Sequence, residues 1–139
     1  MFAPLYTVDA VEPLSTSELA SHCLHYKKEP NGIDATFCVR YIQGFIDGAI
    51  ATDEKVAANA IATSINEETF SERALRTRPA RQKSADPTYY AEFCLGTPVP
   101  LKSVVDKIIL NFQNRKHNSK DVPARDAVYH ILRNEYPCK

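Results

Sequence analysis

A chain of 139 residues fits one domain and is long enough to bury a real core. Its composition is ordinary globular, 44% hydrophobic and 24% charged, and no apolar run approaches the roughly 18 residues of a membrane span. Formal net charge is zero, which, without a basic motif interleaved by aromatics, excludes generic nucleic-acid binding.

That zero conceals an asymmetry. Residues 1–70 hold 4 Lys/Arg and 10 Asp/Glu, residues 71–139 hold 13 and 7, and the halves therefore carry −6 and +6. Either the halves complement each other on folding or the imbalance marks a partner surface.

Residues 1–14 have no sustained period and read as an extended leader; 15–139 read as a single helical domain. The start, MFAPLYTVDAVEP, lacks a basic n-region and a long apolar h-region, so no signal peptide is expected in it. Ser15-Thr16-Ser17-Glu18 has the spacing of a capping box, which opens a first helix running to about Tyr26. Leu19, Cys23 and Tyr26 share its inward stripe. Pro30 and the Asn31-Gly32 turn signal then break the helix.

Asp34 is the expected cap of a second helix. Phe37, Cys38, Tyr41, Ile42, Phe45, Ile46 and Ala49 follow the i, i+3, i+4, i+7 pattern. A weaker continuation runs through Val56, Ala57, Ala60, Ile61 and Ile65, with a break expected near Thr52-Asp53. Gly44 and Gly48 sit four apart on one side of this helix. Each costs about 1 kcal/mol relative to Ala in an exposed helix interior, so the expectation is that another backbone packs closely against them. Asp47 is expected to pair with Arg40, to cap a neighbouring segment, or to stand in solvent.

From Arg73 to Lys83 the chain carries Arg73, Arg76, Arg78, Arg81 and Lys83 with no acid between them. Such a run is a solvated face or a partner-binding protrusion, since loops carry function more often than core does. Asp86-Pro87 marks a turn. Pro98 and Pro100 lead into a helix whose apolar face is Leu101, Val104, Val105, Ile108, Ile109 and Phe112. Asp121 is expected to cap the last helix, with Pro123 in its first turn and Ala124, Ala127, Val128, Ile131 and Leu132 on its apolar face. No stretch alternates with period two. The fold class is all-α, a compact bundle of four to five helices.

No chemistry-bearing constellation stands out. The candidate groups are four cysteines and His22, His25, His117 and His130, and no GxSxG, HExxH or phosphate-binding glycine loop is present. His22-Cys23-Leu24-His25 lacks the partner cluster of a structural zinc site. No catalytic residue, cofactor or metal is expected. Four cysteines in a small chain permit two disulfides in three connectivities. Cys138, one residue from the C-terminus where a chain ordinarily frays, has its simplest explanation in a covalent tie. Disulfides imply an oxidising compartment.

The chain resembles the periplasmic immunity proteins that neutralise type VI secretion amidase effectors, the Rap/Tai group. The matching features are Cys23 in the first helix, then C-x-x-Y-I-x-G-x-x-D-G over Cys38, Tyr41, Ile42, Gly44, Asp47 and Gly48. Phe93-Cys94, a proline-led helix from Pro100 to Phe112, and a last helix closing on Tyr136-Pro137-Cys138 complete the set. The likeness covers roughly residues 15–50 and 92–138. It implies a helical, disulfide-bonded periplasmic protein without catalysis of its own. Such a protein binds a cell-wall amidase sent by neighbouring cells, blocks its cleft, and leaves room for a homodimer. Arg73, Arg76, Arg78 and Arg81 are then the candidate partner-binding residues, and Tyr41, Gly44, Asp47 and Gly48 the structural motif. Two other classes fit a small disulfide-bonded helical chain: an acid-stress periplasmic chaperone, and an adaptor subunit of an envelope complex. Neutral charge and a rich apolar core argue against the chaperone.

The expected pairing is Cys23–Cys38 and Cys94–Cys138. Cys23 and Cys38 lie on inward stripes of consecutive helices joined by a short turn, and antiparallel packing brings them together.

Overall fold

The computed structural model describes residues 11–67, 86–96, 99–115 and 121–139, the side chains of 63–67 excepted. Among these residues four α-helices follow one another: α1 (Thr16–Leu24), α2 (Ile33–Glu67), α3 (Leu101–Asn114) and α4 (Ala124–Glu135). A 3-10 turn over Tyr89–Ala91 stands between α2 and α3.

The chain begins its ordered course where the capping spacing places it. Ser15 Oγ accepts from the Glu18 amide at 3.1 Å, satisfying one of the open amides of α1. Leu19 and Cys23 are fully buried on its inner stripe. From α2, Cys38 and Ile42 meet them, and α3 and α4 close the core with Val105, Ile108, Val128 and Leu132. Each such side chain contributes on the order of 1.5–3 kcal/mol by leaving water. Phe93, completely buried, joins the same cluster from the segment before α3.

Both disulfides form as expected, Cys23–Cys38 across the α1–α2 turn and Cys94–Cys138 between the segment before α3 and the C-terminus. Backbone pairing reinforces both ends of the chain. The Thr16 amide donates to Val122 O at 3.0 Å and the Ala124 amide to Leu14 O at 2.7 Å. Thus residues 14–16 lie beside the start of α4. At the other end the Cys94 amide donates to Tyr136 O at 2.7 Å.

Three local expectations are corrected by this arrangement. Asp121 does not cap the last helix. The pairing of Ser15 with Pro123 carries Asp121 to the N-terminus of α1, where its carboxylate accepts from the Ser17 amide at 3.1 Å and from the Ser17 hydroxyl. Those hydrogen bonds hold its carboxyl below the usual range. Asp34 does not cap α2 either. The helix already starts at Ile33, and Asp34 sits inside the first turn, where a negative charge favours the helix dipole. Its carboxylate faces α1 instead, 2.6 Å from His22 Nδ1.

The third correction concerns the break foreseen near Thr52-Asp53. Helix α2 runs through it without interruption. Thr52 turns its hydroxyl back to Gly48 O at 2.8 Å, a bond compatible with helix. Asp53 points inward and accepts from the Ala91 amide at 3.0 Å. Its polarity therefore anchors a distant turn rather than ending the helix.

Candidate binding surface

The motif residues on α2 divide between the core and the surface. Tyr41 is half-buried against the core, and that burial pushes its phenol up from the ordinary value, against the opposing charge of Arg125. Gly44, Asp47 and Gly48 lie on the outer side. A Cβ added at Gly44 or Gly48 would meet nothing within 4 Å, so the close backbone approach expected at these glycines is absent. The reason is geometric: Cys38, Ile42 and Ile46 turn the buried stripe of α2 away from them. Asp47 is exposed and makes no hydrogen bond or ion pair with another described residue, while Arg40 bonds Gln43 Oε1 at 2.8 Å. Of the alternatives for Asp47, solvent is the one the fold adopts. Asp47 stands at the rim of a shallow groove of about 180 Å³, floored by Ile46, Leu95, Val99 and Leu101.

Phe37, foreseen on the buried stripe, is 39% exposed. It stacks on the His22 ring with centroids 4.1 Å apart, beside the His22–Asp34 contact. His25 Nδ1 lies 2.8 Å from Ser21 O. These groups lock the α1–α2 corner next to the Cys23–Cys38 bridge. Neither here nor elsewhere among the described residues do three or more His, Cys, Asp or Glu side chains converge as a metal site. His130 is exposed on α4, 3.0 Å from Asn134 Nδ2.

A heavily restrained surface element is the turn at 86–96, of which the sequence marked Asp86-Pro87 as a turn and Phe93-Cys94 as part of the family resemblance. Asp86 Oδ1 accepts from the Thr88 amide and hydroxyl, and Asp86 Oδ2 from the Gly96 amide at 2.7 Å. Thr88 is buried, and its hydroxyl also reaches Phe93 O. Asp53 fixes the Ala91 amide from below. Glu92 follows in the left-handed region with φ 63°, uncommon for any residue but glycine. Its carboxylate lies 2.6 Å from Arg133 Nη2 on α4. Between these anchors Tyr89 and Tyr90 project outward. A signal for the anchor existed in the sequence: Asp53 falls seven residues after Ile46 and so on the inward stripe of α2.

Arg73, Arg76, Arg78 and Arg81, the candidate contact residues, lie outside the described residues. All four cysteines are paired and none is free. No helix among the described residues is long and apolar enough to cross a membrane.

The family model of the Rap1a immunity proteins matches residues 15–138. The chain belongs to the Rap1a immunity protein family. The match opens at Ser15, the residue that caps α1, and ends at Cys138, so it encloses both disulfides. No curated protein and no solved structure matches the chain. Rap1a membership implies a cognate effector as the binding partner.

Proposed function

We propose that this protein binds a type VI secretion peptidoglycan amidase effector in the periplasm and blocks its cleft by surface occlusion, protecting the cell from self or sister-cell intoxication. Membership of the Rap1a immunity family carries the reading. Two closed disulfides fit the oxidising periplasm. Occlusion needs a rigid body with preorganised contacts, because every group ordered on binding subtracts from affinity. The cross-linked bundle and its bonded turn at 86–96 meet that need. An immunity family, unlike an enzyme family, acts by binding, and no catalytic step is assigned.

In this reading Arg73, Arg76, Arg78 and Arg81 steer association toward an acidic rim, an effect that weakens as salt screens it. The deciding experiment mixes the purified protein with any peptidoglycan amidase found among the products of the genes neighbouring its own and follows release of cleaved peptidoglycan peptides. Stoichiometric inhibition is expected. An amidase that works unhindered in a molar excess of the protein would refute the reading.

A further inference from the structure

Tyr26, Tyr41, Tyr129 and Tyr136 pack against the core. Tyr89 and Tyr90 do not: they are 52% and 45% exposed, with rings edge to face and centroids 5.4 Å apart. Among the described residues, neither ring joins the core cluster. The backbone that carries them is held on both sides, by buried Thr88 before them and by the Asp53 bond to Ala91 after them. The Cys94–Cys138 bridge follows directly. Rings on a fixed backbone, each with only two side-chain torsions, bind at low entropic cost.

A third group is joined to the same turn through Glu92. The Arg133 guanidinium is placed over the Tyr129 ring at 5.3 Å and tethered through one nitrogen to Glu92. A guanidinium carries five N–H donors in a planar fork, so a single contact leaves capacity for a second carboxylate. Arg133 also lines an open hollow of about 510 Å³ together with His130 and Asn134. Tyrosine and arginine are the residue types, with tryptophan, that dominate binding energy at protein interfaces.

We propose that Tyr89, Tyr90 and Arg133 form the contact surface for the effector, and that the effector presents an apolar slot for the two rings and a carboxylate for Arg133. This rests on the inhibitor reading above and names the surface that performs it. Membership of the Rap1a immunity family favours a protein effector over a glycan strand as the occupant.

The test is calorimetric titration of wild type, the Tyr89→Ala/Tyr90→Ala double variant, Arg133→Glu and Arg133→Lys against the peptidoglycan amidase identified among the products of the neighbouring genes. Thermal melts of each variant accompany it, together with sedimentation of each with purified peptidoglycan sacculi. The double variant is expected to bind about 100-fold more weakly and Arg133→Glu at least about 10-fold more weakly. Arg133→Lys is expected to fall between Arg133→Glu and wild type, and all should melt cooperatively near the wild-type temperature. If both variants melt normally and bind the amidase as tightly as wild type, the surface is wrong while the inhibitor reading stands. If wild type fails to bind the amidase, the inhibitor reading falls and this inference falls with it. Sedimentation of wild type with sacculi, lost in the double variant while amidase affinity is kept, would reassign the tyrosines to glycan.

Discussion

The two disulfides close loops of different length, and that difference sets a measurable order of stabilisation. Cys23 and Cys38 are 15 residues apart, Cys94 and Cys138 are 44 apart. In the chain-entropy account a cross-link removes unfolded-state freedom by a constant plus a term in the logarithm of loop length, which gives about 3 kcal/mol for the shorter loop and about 4 kcal/mol for the longer. An unfolding entropy of about 2.1 cal/mol/K per residue amounts to about 0.29 kcal/mol/K for this chain. The corresponding melting shifts are about 10 °C and about 14 °C. Replacing cysteines alone would confuse the comparison, because Cys23 and Cys38 are fully buried and their removal also leaves a cavity. The clean assay uses two variants, Cys23→Ala/Cys38→Ala and Cys94→Ala/Cys138→Ala, each melted oxidised and reduced. In each, reduction severs the one remaining bridge without deleting its sulfurs. The variant that retains Cys94–Cys138 should lose more on reduction than the one that retains Cys23–Cys38. Equal shifts, or the reverse order, would refute the entropic account for this fold.

Gly44→Ala should raise stability by about 0.5–1 kcal/mol, because the site is an open helix interior where glycine has only its entropic cost; a lower melting temperature would show a contact there. Thr88→Val, which strips a buried hydroxyl of its bonds to Asp86 and Phe93 O, should cost about 1–3 kcal/mol in denaturant unfolding. Glu92→Gly relieves the left-handed backbone at the loss of an exposed ion pair, whereas Glu92→Ala loses the pair and keeps the strain, so the glycine variant should melt higher than the alanine one. Hydrogen bonds from Ser17 depress Asp121, and those from Lys107 and Asn111 depress Glu135, so each stabilises the fold above its ordinary value of 3.8 or 4.5 and stops doing so as pH falls through its lower folded value. An acid-unfolding profile that is less steep in Asp121→Asn/Glu135→Gln than in wild type is the expected outcome, and an unchanged profile would contradict it.

Helical periodicity made the core legible from sequence. The stripes through Leu19 and Cys23, through Cys38, Ile42 and Ile46, and along α3 and α4 all turn inward, because a 3.6-residue period leaves little freedom in which face meets the core. Polar residues were harder to place. Asp34, Asp53 and Asp121 each sit where a local rule assigns a cap or a break. Each instead serves a partner on another segment: His22, Ala91 and Ser17. A carboxylate satisfies whichever donors the tertiary fold brings near, and sequence spacing cannot reveal a donor 104 residues away. The glycines misled for a related reason. Gly44 and Gly48 share a side of α2, but which side is fixed only once the apolar stripe has chosen its neighbours. The candidate surface was the least legible part, since the turn that carries Tyr89 is joined to Arg133 through a left-handed Glu92 and an ion pair that no periodicity encodes.

The distribution of restraints bears on how such a protein inhibits. A bundle with this core would fold without fixing residues 86–96 so thoroughly, since a surface turn ordinarily needs only its own backbone bonds. Here the turn draws on a buried aspartate of α2, a buried threonine and a bridge to the C-terminus. Asp53 and Thr88 hold the backbone on either side of Tyr89 and Tyr90, and the bridge fixes the residues that follow. On the proposed reading, a protein that must hold an effector in the periplasm has reason for this arrangement. Complexes of one interface differ mainly in how fast they dissociate, and a surface already in its bound shape leaves no ordering cost to be recovered on release. On the proposed surface the Cys94–Cys138 bridge contributes twice, once to the stability of the fold and once to the lifetime of the complex. Reduction of that bridge in a protein that remains folded at low temperature should speed dissociation from the amidase more than it slows association.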